Sequence, residues 1–140
     1  MSKAVMMLVA GLYGAGTVKG GTLTVTGAIN PGGAGAIGTI TFETMPVLAG
    51  ATLFAEVSKT GIDGISLPGD VDLSALALTV VDIGSRGAHL KAPVVSCTGT
   101  RTGAFASVVL PEKRPDRFEL SYTAAAAILS VGKGLLLLVR

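Results

Sequence analysis

Apolar and hydroxyl-bearing residues alternate along short stretches of this chain, and this period of two residues restricts it to a β-rich fold. Residues 22–26 read TLTVT and residues 39–44 read TITFET. Successive side chains of a strand point to opposite faces, so such stretches form half-buried strands. Strands are predicted at residues 22–26, 39–44, 52–58, 76–83, 93–98, 105–110, 117–122 and 135–140.

Glycine and proline occupy many of the intervals between these stretches. The chain has 20 glycines and 6 prolines, with turn-forming groups at residues 30–33, 67–70 and 132–134. About eight short strands at this spacing predict an all-β fold, namely a single-domain antiparallel β-sandwich or small barrel over residues 1–140. No repeat with a period of 20–50 residues is visible, so a solenoid is not expected.

At most one or two short helices are expected. Residues 72–78 could begin with Asp72 as the cap, and residues 123–129 contain four alanines. Elsewhere the frequent glycines oppose helix formation, because each one inside a helix costs about 1 kcal/mol relative to alanine. An α/β fold is therefore not expected.

The chain carries little charge. Charged residues make up 14% of it and hydrophobic residues 49%, whereas about 25% of a typical soluble domain is charged. Too few polar residues are present to cover a monomer in water. We therefore expect neutral surface to be buried against copies of the chain or another protein, with the apolar residues 1–16 and 135–140 acting as intersubunit arms.

Acidic and basic residues are separated along the sequence. Six acids and one lysine lie between Glu43 and Asp82, whereas eight bases and three acids follow residue 82. Opposed patches suit head-to-tail contact between identical subunits, although each cluster alone is explained by solvation. Candidate interface residues are Met1, Val5, Leu8, Asp70, Asp72, Lys113, Arg114, Arg117, Leu136 and Leu138.

Residues 33–38 read GAGAIG and match the G-x-G-x-x-G pattern of dinucleotide sites. Such a site needs a following helix to present amides to the pyrophosphate. Here residues 39–42, which follow, have the pattern of a strand. The stretch is therefore interpreted as a flexible hairpin connection, and no cofactor is expected.

Other motifs for chemistry are weak. His89 and Cys97 are the only residues of their types, so they cannot supply an ordinary zinc site, and Cys97 is predicted to be a buried strand residue. Asp63, Asp70 and Asp72 could contribute oxygen ligands to calcium but are more simply turn-capping or solvated. We expect no catalytic, cofactor or metal residues.

Several partner classes are also disfavoured. The charged residues 111–117 mix both signs, which is unlike a nucleic-acid surface, and form either a solubilising loop or a contact arm to acids of a neighbour. The apolar residues 124–139 are interrupted by glycines and a lysine and are too short to span a bilayer. No small-molecule ligand is expected.

In composition the whole chain is similar to virion components of tailed bacteriophages, such as capsid decoration (cement) or tail proteins. This similarity implies a non-enzymatic structural subunit of a self-assembling particle, located in the virion and in contact with copies of itself and another shell or tail protein. One alternative is a secreted or cell-surface β-sandwich adhesin or filament subunit, which requires residues 1–16 to be a signal. Another is a small hydrolase that uses His89.

Overall fold

The computed structural model describes residues 6–19, 22–33, 35–48 and 50–132, and most of these residues lie in strands. The two helices among these residues are single 3-10 turns. The strands are β1 (Met6–Gly14), β2 (Gly16–Val18), β3 (Thr22–Pro31), β4 (Thr39–Phe42), β5 (Val47–Leu48), β6 (Ala51–Val57), β7 (Gly64–Leu67), β8 (Val71–Asp72), β9 (Leu76–Asp82), β10 (Leu90–Cys97), β11 (Arg101–Thr102), β12 (Val108–Val109), β13 (Phe118–Thr123) and β14 (Ala126–Val131). The helices are η1 (Leu73–Ala75) and η2 (Pro115–Arg117).

The described strands form three sheets. Sheet A has the order β1-β3-β6-β9-β12, with β5 also paired to β3, and all of its pairs are parallel. Sheet B has the order β13-β14-β10-β7-β4-β2, and it is parallel from β2 to β10. The hairpin of β13 and β14 joins sheet B in antiparallel orientation. Sheet C consists of the parallel pair β8 and β11.

The chain passes from sheet A to sheet B and back, and each strand pairs with the equivalent strand of the next coil. This arrangement is a parallel β-solenoid. The coils differ in length, because paired positions lie 16, 25 and 30 residues apart: Val9 with Val25, Leu53 with Leu78, and Ile65 with Val95.

The predicted antiparallel β-sandwich or small barrel is therefore wrong, and so is the exclusion of a solenoid. Alternation identifies which residues face the core, but it is the same in parallel and antiparallel strands. The unequal coil lengths also hide the repeat, because equivalent positions do not recur at a fixed spacing in the sequence.

Both predicted helical stretches also differ from the structure. Asp72 does act as a cap, since its Oδ1 accepts hydrogen bonds from the Ser74 amide (2.9 Å) and the Ser74 hydroxyl (2.7 Å), but the helix η1 is one turn and β9 follows it. Residues 123–129 form the turn between β13 and β14 and much of β14. The predicted strand at residues 135–140 lies outside the described residues.

The hydrophobic core lies between sheets A and B. Inward residues of successive coils stack on one another, as Leu53 of β6 does on Leu78 of β9, and both are fully buried. Other fully buried side chains include Val25, Ile29, Val57, Leu73, Leu76, Val94 and Leu129. None of the described helices is long and apolar enough to cross a bilayer.

Gly64 allows β7 to lie close to β10. A side-chain carbon at this position would be 2.7 Å from the carbonyl oxygen of Pro93, which is backbone and cannot rotate away. We expect Gly64→Ala to lower the free energy of unfolding by about 1–3 kcal/mol, because the two strands must separate. Urea unfolding followed by circular dichroism measures this change.

Gly69→Ala is the matched control for this substitution. The nearest atom to a side-chain carbon at Gly69 is the methyl group of Met45, at an ordinary 3.8 Å. Its unfolding midpoint should stay near that of the unsubstituted protein. Equal midpoints for the two alanine variants would contradict the close approach at Gly64.

Candidate functional site

Three of the loops that carry the chain from sheet A to sheet B lie one above another on the same edge of the solenoid. They comprise residues 32–38, 58–63 and 83–89, and we call this edge the A-to-B corner. The first loop is linked to the next coil where the amide of Gly64, the first residue of β7, donates to the Gly38 carbonyl oxygen at 3.2 Å. The A-to-B corner is therefore a stack of loops from successive coils.

Two buried carboxylates hold the glycine-rich loop of this stack. The Gly35 amide donates to both carboxylate oxygens of Glu56 at 3.0 Å. The Gly38 amide donates to Asp63 Oδ1 at 2.8 Å, and the Glu56 amide donates to Asp63 Oδ2 at 3.0 Å. Glu56 and Asp63 are 5% and 0% exposed, so the interpretation of these two acids as solvated residues is wrong.

This geometry explains why the G-x-G-x-x-G stretch is not a dinucleotide site. Its Gly35 and Gly38 amides are already bound to carboxylates of the next coil, and the strand β4 follows it. The loop is a crossing between two sheets rather than the hairpin connection that was predicted. The sequence carries no signal for this contact. Alternation places Glu56 on the outer face of β6, where an exposed side chain is expected, but the loop covers it.

The carboxyl group of Asp63 has a raised pKa. Burial raises its pKa from 3.8 to about 6, although the Gly38 and Glu56 amides act in the opposite direction. The nearby charge of Glu56 adds to the increase. A buried carboxylate therefore lies under the glycine-rich loop at neutral pH.

A cleft of about 520 Å³ opens farther along the A-to-B corner. It lies between the loop of residues 83–89 and the charged residues 111–117, beside the end of β14. The lining residues are Asp82, Arg86, Gly87, His89, Lys113, Arg114, Arg117 and Gly132. Four of these side chains are basic and one is acidic, and we call this region the basic cleft.

Hydrogen bonds fix the walls of the basic cleft. The Arg117 guanidinium donates to the carbonyl oxygens of Ser85 (3.3 Å) and Ala88 (3.0 Å). Asp82 Oδ1 accepts from the amides of Gly84 (3.0 Å) and Ser85 (2.8 Å). Burial acts to raise the pKa of Asp82, but these amides outweigh it and the pKa is lowered.

The structure separates the predicted interface residues into two groups. Lys113, Arg114 and Arg117 line the basic cleft together. Asp70 and Asp72 lie on the opposite edge of the solenoid, where the chain returns from sheet B to sheet A, and Asp70 Oδ1 accepts from the Thr100 amide at 2.8 Å. Contact between these groups in different copies stays a prediction.

The other predicted interface residues lie on the terminal segments. Leu8 belongs to β1, but its side chain is outside the described part of the structure. The remaining four are outside the described residues altogether: Met1, Val5, Leu136 and Leu138.

His89 and Cys97 do not form a catalytic pair. His89 lines the basic cleft just before β10, whereas Cys97 ends that strand, which separates them by about 25 Å at the usual rise per residue. Cys97 is buried, as predicted, and its thiol donates to the Gly99 and Ala125 carbonyl oxygens at 3.5 Å. No described residue forms a hydrogen bond with His89.

The three aspartates considered for calcium are also apart. Asp63 lies on the A-to-B corner, and Asp70 and Asp72 lie on the opposite edge. Within the described ranges, no three His, Cys, Asp or Glu residues are grouped so that they could hold a metal ion.

Comparison with known proteins gives no relative. Neither a protein-family model, nor a curated protein, nor a solved structure matches this chain at a significant level. Its function is therefore inferred from its own strands, charges and cleft.

Proposed function

We propose that this protein is a non-enzymatic structural subunit that associates with a second copy of itself through the β1 end of the solenoid. The observation that carries this proposal is the outer edge of β1, which pairs with no other described strand. An unpaired edge offers a row of backbone donors and acceptors to another chain.

The sequence of β1 lacks the features that prevent such pairing. Edge strands are usually protected by charged residues, prolines or a short length. The nine residues of β1 read MMLVAGLYG and contain neither a charge nor a proline. Tyr13 near its end is 63% exposed, which adds apolar surface beside the edge.

The opposite end of the solenoid is built differently. The hairpin of β13 and β14 ends the parallel ladder of sheet B, and its outer strand carries the exposed Glu119. Sheet A ends in β12, which has only two residues. The two ends are therefore unlike, and β1 offers the longer unprotected edge.

A two-fold contact fits this edge better than a head-to-tail contact. Two copies of β1 related by a two-fold axis would pair in antiparallel orientation and close the interface. The charge separation in the sequence suggested head-to-tail contact, but Glu56 and Asp63 are buried and Asp82 lies in the basic cleft. Half of the acidic cluster is thus unable to form a separate acidic patch.

A bacteriophage virion, the setting that the composition favours, is one assembly in which such a subunit would add buried area between neighbouring proteins. A cell-surface filament is the alternative. In either setting the subunit would act through contact alone, with no chemical step.

Light scattering across a dilution series tests the proposal. We expect a dimer or a larger assembly at micromolar concentration, which a double variant with Tyr13→Lys and Thr17→Lys dissociates. These exposed residues lie on β1 and β2, so each copy would carry two lysines at the contact, and charged side chains on an edge oppose strand pairing. The dissociation constant should rise at least about tenfold, which corresponds to 1.4 kcal/mol.

The matched control places two lysines at the other end, through Val108→Lys and Val109→Lys. These residues of β12 are 40% and 54% exposed. The two substitutions add the same net charge as Tyr13→Lys and Thr17→Lys do. The assembly should persist in this variant. A monomer at every concentration, or equal dissociation of both variants, would overturn the proposal.

A further inference from the structure

We propose that the basic cleft binds a small oxyanion with two negative charges, of the phosphate-monoester class. This binding is separate from self-association through β1, because the basic cleft lies at the other end of the stacked coils. Its volume of about 520 Å³ is sufficient for a small molecule.

The charges of the basic cleft favour an anion. Arg86, Lys113, Arg114 and Arg117 surround it, and Asp82 is the one acid in its lining. The Asp82 carboxylate is directed at the amides of the turn at residues 84–85, which stabilise its charge. The ligand therefore meets a mainly positive surface.

Two of the cations are available to a ligand. Arg114 is paired with Asp116 at 3.1 Å, and the Arg117 guanidinium is bound to two carbonyl oxygens. Arg86 and Lys113 are exposed and have no partner among the described residues. Arginine donates two parallel hydrogen bonds to an oxyanion, and lysine adds a point charge, so the pair suits a phosphate group.

Two backbone features lie at the basic cleft. Arg114 has a φ of 54° and is the one described non-glycine residue in the left-handed region. Such backbone strain often occurs at functional sites. Gly132 leaves space for His89, because a side-chain carbon there would lie 2.6 Å from the imidazole Nδ1. The imidazole is thereby placed at the wall of the basic cleft as a further polar group.

Isothermal titration calorimetry with inorganic phosphate tests the proposal, with sodium chloride at matched ionic strength as the blank. We expect saturable binding to one site per chain. A double variant with Arg86→Gln and Lys113→Gln should weaken the binding at least about tenfold, because two charge-assisted contacts are lost.

The matched control carries Lys19→Gln and Lys59→Gln, two exposed lysines outside the basic cleft. It removes the same net charge and should bind phosphate as the unsubstituted protein does. Absence of saturable binding, or equal weakening in both variants, would overturn the proposal. Binding of a short DNA strand without binding of inorganic phosphate would also overturn it, in favour of a nucleic-acid surface.

Discussion

Replacement of Leu53 by alanine is expected to lower the free energy of unfolding by about 3–5 kcal/mol. Leu53 is fully buried at the centre of β6, where it pairs with Ile29 of the preceding coil and Leu78 of the following coil. Its removal would leave a cavity shared by three coils. Urea unfolding followed by far-ultraviolet circular dichroism measures the loss.

Thr52→Ala is the matched control on the same strand. Thr52 precedes Leu53, faces outward and is half-buried, so its truncation should cost about 1 kcal/mol or less. If the two variants lost equal stability, the core would not lie between sheets A and B at this coil.

The stability of the protein is expected to rise as the pH falls from about 6 to about 4. Asp63 has a pKa of about 6 in the folded protein and an ordinary value of 3.8 when exposed. Between these values the folded state holds a proton that the unfolded state releases, so lower pH favours folding. This contribution is complete below pH 3.8 and is lost as the pH rises through 6.

The size of the effect follows from the change in pKa. At 1.36 kcal/mol per unit of pKa, the full contribution is on the order of 3 kcal/mol, of which about 2 kcal/mol is gained between pH 6 and pH 4. Hydrogen bonds lower the pKa of Asp72 and Asp116 below 3.8, so these two groups act at more acidic pH. Urea unfolding at intervals between pH 4 and 7 measures the change.

Asp63→Asn removes the titrating group and should abolish most of the pH dependence in this range. The amide oxygen can still accept one of the two backbone hydrogen bonds, although the amide nitrogen cannot accept the other. Glu43→Gln, at an exposed carboxyl, should keep the full slope. An unchanged slope in the Asp63→Asn variant would show that another group controls the response.

Alternation in the sequence locates some strands correctly, and residue propensity misleads at one. Residues 76–83 and 39–44 were predicted as strands, and they contain β9 and β4. Residues 123–129 were considered helical because of their alanines, yet pairing with β10 and β13 places most of them in β14. Local propensity was outweighed there by hydrogen bonds to the adjacent β13 and to β10, which is distant in the sequence.

The candidate site could be predicted from the sequence only in part. Residues 111–117 stand out in the sequence as a charged stretch, and three of their cations line the basic cleft. The second wall, at residues 83–89, comes from the preceding coil and carries no motif that links it to them. The contact of Glu56 and Asp63 with the glycine-rich loop was likewise hidden, because it joins residues of different coils.

The amino-acid sequence alone determined that the chain is built from short strands, where many of them lie and which side chains they bury. These properties depend on the local geometry of a strand, in which successive side chains alternate between two faces. Only the tertiary structure decided the partner of each strand, the parallel direction and the burial of two carboxylates under a loop. The parallel pairings depend on contacts between residues 16 to 30 positions apart, for which alternation carries no information.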